Sequence, residues 1–103
     1  MTPELAARLE AAGIQKAAEG RDYCMFVREN CLALVQASAG EFTSLGSSGI
    51  MTEKGLAYLV WQDGVAMLSS HGSQIAADSD QVQAIRKFSD DLKKTIWPPD
   101  EPR

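Results

Sequence analysis

Leu56-Ala57-Tyr58-Leu59-Val60-Trp61-Gln62, then Asp63-Gly64, then Val65-Ala66-Met67-Leu68-Ser69-Ser70 is the most strongly patterned run in the chain. Two segments rich in β-branched, aromatic and aliphatic residues flank a dipeptide that tolerates the positive φ angles of a type I′ turn, which predicts a β-hairpin. Successive strand residues point to opposite faces. Leu59, Trp61, Leu68 and Ile75 therefore share one face, and Tyr58, Val60, Val65 and Met67 share the other. His71-Gly72 offers a further turn into a short strand, Ser73 to Ala77.

Upstream, Tyr23 to Val27 and Cys31 to Val35 form a second hairpin pattern around Glu29-Asn30. Here too both faces are apolar, with Tyr23, Met25, Val27, Leu32 and Leu34 on one and Cys24, Phe26, Ala33 and Val35 on the other. Helices flank the strands. Thr2 is a candidate N-cap with Pro3 behind it, Leu5, Leu9 and Ala12 share a stripe, and Gly13 with Ile14 suits a Schellman cap. Residues 15–19 read as an added helical turn before Gly20; the alternative is one helix that runs through Gly13 at a cost of about 1 kcal/mol relative to Ala. Asp78 and Gln81 form a capping-box pattern ahead of a helix over Ser79 to Ile96, whose apolar stripe runs through Val82, Ile85, Phe88, Leu92 and Ile96. Residues 38–55, rich in Gly and Ser, read as a loop, with Phe42 to Leu45 as an extra strand or edge. The expectation is an α+β fold of order α-β-β-β-β-β-α: an antiparallel sheet of about five strands, two hairpins with the second extended to a meander, and both terminal helices packed on it. One domain covers 1–97, and 98–103 is an expected disordered tail.

The chain has 103 residues, with 10 Lys plus Arg against 14 Asp plus Glu, a formal charge of −4. That balance argues against a dedicated nucleic-acid binder, although Arg86, Lys87, Lys93 and Lys94 gather on the last helix among aspartates. No apolar run approaches the roughly 20 residues of a membrane-spanning helix. Met1-Thr2-Pro3-Glu4-Leu5 lacks the basic and apolar regions of a signal peptide, so a cytoplasmic location is expected.

Little chemistry can be assembled from these side chains. In the expected register Cys24 and Cys31 lie four rungs apart, about 13 Å, beyond the roughly 7 Å a disulfide spans. They read as packing residues; the alternative is a reactive Cys31 thiol favoured by Arg28. Gly46-Ser47-Ser48-Gly49 can cradle an anion in principle but matches no phosphate-binding fingerprint. His71 is the single histidine and lies in a turn, with no nucleophile elbow near it. Asp78/Asp80 and Asp90/Asp91 read as capping and surface carboxylates. No catalytic residue, metal site or cofactor is predicted.

In element order alone the chain resembles small roadblock or profilin-like modules, most of which serve as interaction scaffolds; the resemblance carries no motif, and the long middle helix of those modules is missing. The two-faced apolar sheet gives the functional expectation. Two helices cover one face well, so the other needs a strong curl, a helix of its own or a second copy of the chain. The expectation is a non-enzymatic interaction module, homodimeric or bound to another protein, with Tyr58, Val60, Val65 and Met67 as interface residues. The alternative is a small enzyme or ligand sensor with a pocket between residues 38–55 and the sheet, contacted by Tyr58, Trp61, His71 and Cys31.

Overall fold

The computed structural model describes residues 2–53, 55–70 and 72–98. Helix α1 spans Pro3–Ala11, seven strands follow, and helix α2 spans Ser79–Ile96. The strands are β1 (Gln15–Glu19), β2 (Tyr23–Arg28), β3 (Cys31–Ser38), β4 (Glu41–Thr52), β5 (Gly55–Gln62), β6 (Val65–Ser70) and β7 (Ser73–Ala76). They form one antiparallel sheet in consecutive order, a seven-stranded meander. The α+β class expected from the sequence holds, with seven strands in place of five.

The local signals act as their chemistry requires. The Thr2 hydroxyl accepts from Leu5 N–H, and α1 closes with the Gly13 amide donating to the Glu10 carbonyl and Ile14 to Leu9, the paired bonds of a Schellman motif. Glu29-Asn30 and Asp63-Gly64 are two-residue turns between the Arg28–Cys31 and Gln62–Val65 pairs. Asp63 and Gly64 both hold positive φ, as a type I′ turn demands. Both capping-box bonds of Asp78 and Gln81 are present at the start of α2.

Two segments differ from the sequence reading. Residues 15–19 are edge strand β1, not helix: α1 has already been closed at Gly13, and these exposed residues gain their ladder by pairing with β2. Residues 41–52 are the long strand β4, not a loop, and lie between β3 and β5. Register shifts at two points in the β3–β4 pairing break the period-2 pattern. Phe42, Leu45 and Ile50 consequently turn toward the helices at uneven spacing. Of the expected 98–103 tail, Pro99 to Arg103 lie outside the described residues.

Both helices pack on one side of the sheet. Leu5 and Leu9 of α1 and Phe88, Leu92 and Ile96 of α2 bury against Cys24, Phe26, Ala33 and Val35. Ile85 continues the core over Ala57 and Leu68. Polar contacts fix this choice of side. Arg28 Nη2 donates to Asp91 Oδ2 at 2.8 Å, its Nη1 reaches the Ala12 carbonyl at 3.3 Å, and its guanidinium lies over the Phe88 ring. Ser89 bonds Ser48 across the same boundary.

The hydrogen bond from Arg28, with lesser help from Lys87, holds the Asp91 carboxyl below the usual carboxylate range. Its folded value is thus lower than the unfolded value of about 3.9. The stability it contributes is complete above that pH and is lost as pH falls through the lowered value. Asp91→Asn is expected to cost about 1 kcal/mol at neutral pH, the pair being part-exposed. Melting curves of the two proteins should converge as the pH is taken well below about 4; a gap that persists in acid would show that the pair contributes no charge-dependent stability.

Candidate functional site

Cross-strand partners share a face, so the register sorts every strand residue onto the helix side or the far side. Tyr23, Met25, Val27, Leu32, Leu34, Met51, Leu56, Tyr58, Val60, Val65 and Met67 stand on the far side. Leu32, central in the register between Val27 and Gly49, is buried, whereas Tyr23, Met51 and Val65 are 42%, 53% and 53% exposed. The remaining far-side positions are Gln, Ser, Gly or Ala, except Glu41 beside the β3–β4 turn. Glu41 is the one Asp, Glu, Lys or Arg on this side among the described strand residues. Lys16, Glu19 and Arg28 all pair with helix-side positions.

The four expected interface residues, Tyr58, Val60, Val65 and Met67, therefore lie together on this uncovered face. Met51 and Leu56 extend the same patch, and the reading of 38–55 as a loop hid Met51's place on it.

The expected ligand contacts do not converge. Tyr58 faces the far side, and its near neighbour Trp61 faces the helices with the Arg86 guanidinium over its ring. Cys31 is on β3, on the helix side, and His71 lies outside the described residues. Burial raises the Cys31 thiol above its ordinary value, and the opposing pull of Arg28 is the smaller effect, so the thiolate expected of a reactive cysteine is not favoured. Both cysteines are free thiols, four rungs apart in the β2–β3 register. Ser48 and Gly49 are paired with β3 in the ladder, which leaves no open Gly/Ser loop to cradle an anion.

A cleft opens on the helix side at the β5–β7 end. Its volume is about 400 Å³, and Ala57, Leu68 and Ile75 give it an apolar lining. Ser70, Glu53 and Gln81, the last in the first turn of α2, supply polar edges. Among the described residues no group of three or more His, Cys, Asp or Glu side chains is placed to hold a metal ion. No helix of the described residues is long and apolar enough to cross a membrane. Searches against protein families, curated proteins and solved structures found no match.

Proposed function

We propose that the protein is a non-enzymatic interaction module that forms a homodimer through the far side of its sheet. The observation that carries this reading is that both helices lie on one side, leaving the other apolar and almost free of charge. An antiparallel sheet with one face in water normally alternates apolar with polar residues; this one does not. Depletion of charge with enrichment of Tyr and Met is the composition of an interface centre. A seven-stranded sheet presents roughly 600 Å² in projection, close to the scale of the about 800 Å² each partner gives to a standard interface. A face with so little charge best complements another like it, and a second copy supplies one. The sheet edges are poorer contacts, since β1 is short and irregular with Lys16 and Glu19, and β7 has four residues.

Light scattering on a sizing column tests the proposal. The expected mass at micromolar concentration is twice the 11.1 kDa of one chain. Met67→Lys places two like charges across a symmetric contact and is expected to weaken association about a hundredfold while the fold survives, because the site is part-exposed in the single chain. A native protein that runs as a monomer, or a Met67→Lys dimer of unchanged affinity, would overturn it.

A further inference from the structure

Ser70 is the anomaly of the helix side. Its Oγ is buried and has no hydrogen-bond partner among the described residues. Buried hydroxyls are nearly always satisfied, and an exception calls for a cause. Ser70 is also a wall residue of the 400 Å³ cleft, beside the apolar surface of Ala57, Leu68 and Ile75. Ile75 is 60% exposed on edge strand β7, a large aliphatic side chain on the helix side that the core does not use. An apolar cleft of this volume with one unmet polar group has the make-up of a small-molecule site.

The charges of the described residues choose the head group. Glu53 lines the cleft, and Glu29, Asp78 and Asp80 line the adjoining groove that shares Thr52, Glu53 and Gln81 with it. Ionised carboxylates only accept hydrogen bonds, and a serine hydroxyl can accept as well. An anionic head would meet repulsion, whereas a donor would satisfy Ser70 and suit the rim.

We infer that this cleft binds a small apolar molecule carrying one hydrogen-bond-donating, non-anionic head, an alcohol or an amine, which bonds the Ser70 hydroxyl as it turns into the cleft, while its body rests on the exposed Ile75 side chain. The site is separate from the far side of the sheet and does not depend on dimer formation.

Benzyl alcohol, benzylamine and benzoate share one body and differ in the head. Each is titrated into the ¹⁵N-labelled full chain and followed by amide shifts. The two donor-headed compounds are expected to move amides at 52–57 and 68–75, and benzoate to leave them in place. Ser70→Ala is expected to bind benzylamine about tenfold more weakly, the worth of one hydrogen bond. Its melting temperature should be equal to or above the native value, because the unpaired hydroxyl is gone. Met67→Lys should bind as the native chain does. Absence of shifts at the cleft with either donor compound, equal binding of benzoate, or full affinity in Ser70→Ala would overturn the inference.

Discussion

Gly49→Ala is expected to cost about 3–5 kcal/mol, a large part of the stability of a domain this size. A Cβ on Gly49 would collide with the Ala57 carbonyl oxygen and stand 2.8 Å from the Tyr58 Cα. Those atoms belong to the backbone of the neighbouring strand and cannot turn aside as a flexible side chain would. Relief requires β4 and β5 to separate, which opens the ladder at the Gly49–Tyr58 pair and loosens the core of Ala57, Leu68 and Ile85 beyond it. Gly64→Ala is the control. No atom lies within 4 Å of a Cβ there, but its φ of +79° is unfavourable for alanine, so a loss of only about 1 kcal/mol is expected. Urea denaturation followed by circular dichroism compares them. Equal midpoints for the two variants would show that β4 and β5 do not approach so closely.

Phe88→Ala is expected to cost about 4 kcal/mol. Phe88 is 1% exposed, sits midway along the apolar stripe of α2 and belongs to the same core as Phe26, Val35 and the α1 leucines. Truncation leaves a cavity bounded by sheet on one side and helix on the other, neither free to collapse. It also removes the ring beneath Arg28, 5.4 Å from the guanidinium carbon, and loosens the residue that ties α1 and α2 to β2. The measurement must hold protein concentration fixed, since a dimer's midpoint depends on it. A midpoint within 1 kcal/mol of native would mean that α2 does not rest on the sheet as described.

Where one residue type carries one unambiguous instruction, the fold was legible from the chain. Asp63-Gly64, Gly13-Ile14 and Asp78 with Gln81 each specify a backbone geometry that few other residues permit, and each forms as read. The segments that misled are those in which tertiary pairing outweighs local preference. Gln15-Lys16-Ala17-Ala18-Glu19 favours helix by propensity, yet β2 offers it a ladder. β4 combines residues that disfavour strands with shifts that hide its alternation, and its glycine at 49 marks close backbone approach more than a bend. The apolar patch was visible because parity alone assigns Tyr58, Val60, Val65 and Met67 to one face. Which face the helices take was not, because it depends on Arg28 meeting Asp91 and Ser48 meeting Ser89, contacts 63 and 41 residues apart in sequence. The cleft was hidden for a related reason: it joins residues of four strands, β4 to β7, to the first turn of α2.

The consecutive strand order has a bearing on synthesis. Each strand pairs with the one made just before it, so hairpins can close as the chain leaves the ribosome, with only short loops to bring together. The helix that shelters most of the inner surface comes after all seven strands. Until it emerges, a nascent sheet has only α1 to cover part of its inner side, and a pause ahead of residue 79 would leave a sticky intermediate for chaperones to hold.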